Sequence, residues 1–354
     1  MMPLGNESLR VAIAGAASLR GKDLARWIEE SGFPAGEVRL LDEALAVGTL
    51  TSVGDEAAIV QPVDESSFER MRFVFFTGSA AFAEKHGPAA ERAGSTIIDM
   101  TGGLAGVRGA RRWIPHLDAQ LAPFSTLASS SAPALEPARR ITVCISPSAP
   151  AIVACSLAVA LREYPLARLA ITFFSPVSER GQAGVEELEN QTVKLLSLQP
   201  IPQKVFDTQI AFNLLDRWGA ESSGSLSALR AAVAAEVREY LGGRVPVPAI
   251  ALVQSPVFFG YAFSAYAEFA LPAGSAPLDS QGMLARLSAA GFNLAAENDP
   301  AISNTSIAGE AQVSLRQPMR DPNVNDGYWF WGAADNLRVG SANALRIAER
   351  LLVS

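Results

Sequence analysis

Residues 9–32 read LRVAIAGAASLRGKDLARWIEESG, and this stretch decides the fold. An apolar run ending at Gly15 is followed by a segment that sets Leu24, Trp27 and Ile28 on one helical face and stops at a glycine. EVRLLD at residues 37–42 reads as a second strand. Strand, glycine turn, helix and strand, in that order, fold as parallel strands joined by a right-handed crossover. The alternation continues through RFVFFTG (72–78), an alanine-rich helix after Ser79, STIIDM (95–100) and RRITVCIS (139–146). Unbroken apolar strands such as FVFF suit a sheet covered on both faces. The expected class is α/β, with a doubly wound domain over residues 1–147.

The turn after the first strand is Gly15-Ala16-Ala17-Ser18-Leu19-Arg20-Gly21. A tight turn there brings backbone N–H groups and a helix N-terminus against a pyrophosphate, so a dinucleotide is the expected ligand. Ser18 stands where a glycine would let the phosphate approach most closely; its hydroxyl is a candidate phosphate donor and Arg20 a candidate counter-charge. The second strand ends in Asp42-Glu43, and an acid at that tip accepts from ribose hydroxyls and repels a 2′-phosphate. NAD is therefore expected over NADP. The competing reading is that the glycines serve packing, Arg20 and Asp42 are solvated, and no dinucleotide binds. Candidate cofactor positions are Gly15, Ala17, Ser18, Leu19, Gly21, Asp42, Thr77, Gly78 and Asn336.

After Pro150 the pattern changes. ARLAITFFSPVS (167–178) reads as a long strand, followed by helices near Gln182–Leu198 and Ser225–Leu241. VPAIALVQSPVFFGYAFSAYAEFAL (247–271) reads as two or three strands broken at Pro256 and Gly260. Helices on one side of a largely antiparallel sheet leave the other face for a partner subunit. The final stretch from Tyr328 gives a strand, expected to be buried, and a closing helix with Asp335 or Asn336 as N-cap.

Composition excludes several classes of function. A net charge of −7, with no basic run, argues against nucleic acid and anionic membranes as partners. The opening MMPLGNESLR does not resemble a secretory leader, and no apolar run is long enough to span a bilayer. Two cysteines, Cys144 and Cys155, in apolar segments fit core thiols in a reducing cytoplasm. With only two histidines, His86 and His116, far apart in sequence, no metal site is expected. His116 is read as an exposed loop residue, His86 as lying near a helix end, and Glu186-Glu187 as a solvated face.

Several strings together resemble the aspartate-semialdehyde dehydrogenase family over essentially the whole chain. VAIAGAASLRG, RLLDEALAVG, IIDMTGG, IPHLDAQ, GQAGVEELENQT, IAFNLL and DNLRVGSANALRIAE each follow a family motif. The resemblance implies an N-terminal Rossmann-type domain completed by residues 334–354. It also implies a glyceraldehyde-3-phosphate-dehydrogenase-like α/β dimerisation domain over 148–333, a homodimer or a dimer of dimers, and NAD(P)-dependent phosphorylating chemistry on a semialdehyde in amino-acid biosynthesis.

Carried over position by position, the family's catalytic groups are replaced. The nucleophilic cysteine falls on Ala149, or on Ser148 with a one-residue slip; the acid–base histidine falls on Tyr261. The carboxylate-gripping arginine becomes Gln254, the orienting glutamine Ser175, and the phosphate-contacting arginine Ala105. The serine and arginine that would meet a 2′-phosphate fall on Glu43 and Leu45. A methyl group cannot form a thiohemiacetal. A phenol of pKa about 10 is a poor base at neutral pH, and a neutral amide lacks the two-pronged charge of a guanidinium. The expectation is a family homologue without the Cys/His/Arg set, retaining the dinucleotide fold and dimerisation. The alternatives are an active oxidoreductase of the family, and an enzyme with new chemistry built from Ser148, Tyr261 and Ser178.

Overall fold

The computed structural model describes residues 9–43, 50–53, 56–125, 142–272, 278–296, 298–324 and 326–353. The described residues form two compact units: one holds those up to 115, from 142 to 147 and from 340 onward, and the other holds 116–125 and 148–339. Leu45 and most of the polar stretch at 125–140 lie outside the described residues.

The first unit begins with β1 (Leu9–Ala14), α1 (Leu19–Glu30) and β2 (Ala35–Asp42), followed by a hairpin of β3 (Leu50–Val53) and β4 (Glu56–Ile59). Next come β5 (Gln61–Pro62), β6 (Phe73–Phe76), α2 (Ala80–Arg92), β7 (Thr96–Asp99) and β8 (Arg111–Arg112). Helix α3 (Asp118–Ser125) groups with the second unit, and β9 (Val143–Ile145) returns to the first. The sheet order is β5-β2-β1-β6-β7-β9-β8, every pair parallel. Successive residues of β1 face opposite sides. Val11 and Ile13 join Leu24 and Ile28 of α1, together with Leu345 and Ile347 near the C-terminus. Ala12 and Ala14 join Val74, Phe76 and Phe82 on the other side. The chain passes from β1 to β2 on one side and later to β6 on the other, so the β1–β6 boundary is the topological switch point, the usual ligand crevice of such sheets.

After α3 the second unit continues with α4 (Ala149–Leu161), apolar but for Ser156 and wholly buried. Then follow β10 (Leu166–Ser175), α5 (Gly181–Leu196), α6 (Leu226–Leu241), β11 (Ala249–Gln254) and β12 (Tyr261–Phe269). The remainder is α7 (Ser280–Ala289), β13 (Phe292–Ala295), β14 (Val313–Arg316), β15 (Met319–Arg320), β16 (Gly327–Ala334) and α8 (Arg338–Val353). From Gly340 on, α8 belongs to the first unit. The sheet is mixed: β10 lies between β11, parallel, and β12, antiparallel, so the long apolar stretch forms two strands that flank β10.

One face of this sheet is buried through Leu169, Ile171, Phe173, Phe263, Ala265 and Phe330. The alternate residues form an uncovered face, where Tyr266 pairs with Trp329 and Ser264 with Trp331. Strand β16 therefore departs from the expected buried YWFW: Tyr328 and Phe330 are buried, while Trp329 and Trp331 are 43% and 36% exposed. Asp335, not Asn336, caps α8, accepting from the N–H groups of Leu337 and Arg338. Among the described residues, no helix is long and apolar enough to cross a membrane.

Candidate functional sites

Gly15 closes β1 with φ +94°, a region that favours glycine, and a Cβ there would lie 2.3 Å from the Gly78 nitrogen. Gly21 is required by packing, since its Cβ would lie 2.5 Å from the Gly15 carbonyl oxygen. Ser18 is the N-cap of α1. Its hydroxyl accepts from Gly21 N at 3.0 Å and donates to the Thr77 carbonyl at 3.0 Å. That proton is committed within the turn, which removes Ser18 as a phosphate donor in this arrangement. Arg20 likewise reaches the Met100 carbonyl at 2.8 Å. Helix geometry leaves the N–H groups of Leu19 and Arg20 at the electropositive end of α1, on a half-buried turn.

Asp42 folds back on the same turn, accepting from Ala17 N and Glu43 N, each at 2.8 Å. Glu43 pairs with Lys85 across an exposed surface. Thr77 is buried and donates its hydroxyl to the Gly15 carbonyl at 3.0 Å; the neighbouring Gly78 packs against Gly15. The turn, the tip of β2 and the end of β6 are thus one bonded assembly at the switch point. Asn336 belongs to the second unit. There its amide accepts from Gly260 N at 2.9 Å and donates to Ser178 Oγ and Glu179 Oε1.

Three of the positions that the resemblance assigns to catalysis, Ser175, Gln254 and Tyr261, meet where β10 and β11 end and β12 begins. Gln254 is fully buried and its amide is saturated. It accepts from Trp218 Nε1 at 3.1 Å and donates to the carbonyls of Ser175 and Ser255, each at 3.0 Å. The Ser175 hydroxyl donates weakly to the Tyr261 phenol at 3.4 Å. Tyr261, also fully buried, sets its ring edge against Phe173.

Ser148 is the N-cap of α4. Its N–H and its hydroxyl both donate to Glu236 Oε2, at 3.1 and 2.5 Å, while Ala149 is buried behind it. Glu236 was invisible in sequence, one acid among the alanines of α6. Glu187, read as solvated, is instead buried and accepts from the N–H groups of Lys204, Val205 and Phe206. Its neighbour one turn on, Gln191, accepts from Ile210 and Ala211 N, so this helix fixes the loop that carries Trp218.

Burial pushes the Cys144 thiol up to about 11 and the Cys155 thiol further still, Glu236 adding to the latter; neither is a thiolate near neutral pH. His116 is half-buried and bonded to Ser156 at 3.1 Å, contrary to an exposed loop residue. His86 sits inside α2 against Phe82, not near its end. Burial, with help from Lys85, lowers its pKa below the ordinary imidazole value. Among the described residues, no group of three potential ligands could hold a metal ion.

A parallel doubly wound sheet with a glycine turn at its switch point, together with a separate mixed α/β unit with an uncovered aromatic face, defines a two-domain protein of the dinucleotide-binding class. The semialdehyde dehydrogenase NAD-binding domain model matches residues 10–108, and the semialdehyde dehydrogenase dimerisation domain model matches residues 158–339. The chain belongs to the semialdehyde dehydrogenase family. It is 31% identical to a USG-1 protein homolog of Pseudomonas aeruginosa, over 98% of each chain. It is 25% identical to an aspartate-semialdehyde dehydrogenase of Rickettsia bellii, over 97% of each. In fold it resembles the crystal structure of aspartate-semialdehyde dehydrogenase II from Vibrio cholerae, with a TM-score of 0.81 and 23% identity over 98% of this chain and 99% of that one.

Proposed function

We propose that the chain is a dinucleotide-binding homodimer of this family that has given up the thiol, imidazole and guanidinium chemistry of semialdehyde oxidation. The observation that carries this reading is Gln254. The position that the resemblance assigns to a charged carboxylate grip holds a fully buried, neutral amide whose bonds all run to Trp218, Ser175 and Ser255. Tyr261, at the histidine position, is equally buried, and Ala149 offers no nucleophile.

The N-terminal turn fits a dinucleotide. Gly15, Ala17, Ser18 and Gly21 form a bonded loop that holds the Leu19 and Arg20 N–H groups at a helix N-terminus, donors that suit a pyrophosphate. Asp42 and Glu43 favour NAD over NADP, because a 2′-phosphate beside two carboxylates is repelled. When bound, NAD supplies a hydride acceptor; the residues described here bind and orient. The homodimer forms through the uncovered face carrying Phe174, Tyr266, Trp329 and Trp331, a continuous aromatic surface that needs covering.

The relatives named as aspartate-semialdehyde dehydrogenases favour a second reading, in which the chain performs that reaction with other groups. Calorimetric titration with NAD and NADP, followed by an assay of aspartate semialdehyde with phosphate and either cofactor, separates the two. Binding of NAD without turnover is the expected result. Turnover above a trace overturns the leading reading in favour of the second.

A further inference from the structure

An N-cap serine ordinarily accepts from the N–H groups of the first helical turn. Ser148 makes no such bond; its hydroxyl proton is aimed at Glu236 Oε2, which also holds the Ser148 N–H. Glu236 comes from α6, which packs along α4, so the pairing is fixed by two helices rather than by a loop. Ser148 is half-buried in front of a wholly buried helix. This arrangement gives an alcohol what it needs in order to attack: an adjacent base within hydrogen-bond reach. It also has a helix N-terminus behind it, where developing negative charge is favoured.

We propose that Ser148 and Glu236 are a nucleophile–base pair, and that this unit hydrolyses small, uncharged, activated acyl esters through an acyl-Ser148 intermediate. The proposal does not depend on dinucleotide binding. As Ser148 Oγ bonds to the acyl carbon and the bond to the leaving alkoxide breaks, the Ser148 proton passes to Glu236 and on to the departing alcohol. Water then attacks the acyl carbon and gives a proton to Glu236, and Oγ leaves and takes that proton back. The products are an alcohol and a carboxylic acid, with no change of oxidation state. A neutral ester is the fitting substrate, because the Glu236 carboxylate repels carboxylates and phosphates at this distance.

The test uses the full chain with p-nitrophenyl acetate, following p-nitrophenolate release, and a fluorophosphonate probe, following intact and peptide mass. The expected result is a covalent adduct on Ser148 that S148A abolishes. E236Q should slow acylation by about 100-fold or more, the usual contribution of a general base, with the fold intact by circular dichroism. No adduct on Ser148 in the folded wild-type chain overturns the proposal, as does labelling at an unchanged rate in folded E236Q. Should E236Q fail to fold, the wild-type and S148A labelling decide.

Discussion

Replacing Gln254 by leucine tests the claim that this position is a sealed structural node. Leucine is close to glutamine in volume, so the cavity contribution is small, and the loss can be worked out bond by bond. Trp218 Nε1 loses its acceptor in a buried setting, which costs about 1–3 kcal/mol. The Ser255 carbonyl loses one donor, worth about 1 kcal/mol. The Ser175 carbonyl loses little, because Ser255 donates to it from both its N–H and its hydroxyl, at 3.0 and 2.9 Å. The sum is a destabilisation of about 2–4 kcal/mol. Gln254→Arg should cost more, about 3–5 kcal/mol, because it places a charge where the structure offers only Trp218 and two carbonyls. Urea unfolding at fixed protomer concentration, with tryptophan fluorescence as the probe, reads both variants. If Gln254→Leu unfolds within about 0.5 kcal/mol of wild type, or if Gln254→Arg is the more stable of the two, Gln254 faces an open site and the argument from burial fails.

Gly15→Ala puts a β-carbon 2.3 Å from the Gly78 nitrogen at a positive φ. It should lower the melting temperature by several degrees and abolish calorimetric NAD binding, whereas intact binding would show that the turn is not the cradle. His86 has a lowered pKa in the folded state, so its contribution is full above the ordinary imidazole value and is lost as pH falls below it. An NMR titration of His86 should therefore give a midpoint below 6.5, and one above it refutes the burial argument. Trp331→Glu on the uncovered sheet face should yield a folded monomer by sedimentation velocity; a dimer at wild-type strength places the interface elsewhere. Cys144, with its thiol raised to about 11, should resist iodoacetamide at pH 8 until the chain is unfolded.

The first unit was legible because its signals are local. A glycine that needs a positive φ sits next to an apolar strand and a helix of clear periodicity, and these neighbours determine one another. The β3–β4 hairpin carries no such signal, its strands being short and lacking apolar alternation. The second unit was legible in its elements but less so in its faces. YWFW is apolar at every position, so period two cannot say which rings turn inward; that is settled by Trp329 bonding Asp321 and Trp331 reaching the Ile302 carbonyl. Glu187 looked solvated because its partners, the N–H groups of residues 204–206, lie beyond the end of its helix. Glu236 carried no signal, since its meaning comes from the packing of α4 on α6.

The positions that the resemblance assigns to catalysis also have to be considered together. Ser175, Gln254 and Tyr261 touch one another directly or through one carbonyl, so their effects on stability should be non-additive. Replacing Gln254 by arginine alone strands a charge. Replacing Tyr261 by histidine alone removes the ring that packs edge-on against Phe173 and leaves Ser175 without its weak acceptor. The combined variant Ala149→Cys, Tyr261→His and Gln254→Arg is therefore expected to raise semialdehyde oxidation above background only if the chain still folds. Adding Ser175→Gln should improve its stability relative to the triple variant, because a longer amide there can meet the new guanidinium. Equal stability with and without that fourth change, read by urea unfolding, would show that the four positions act separately rather than as one packed unit.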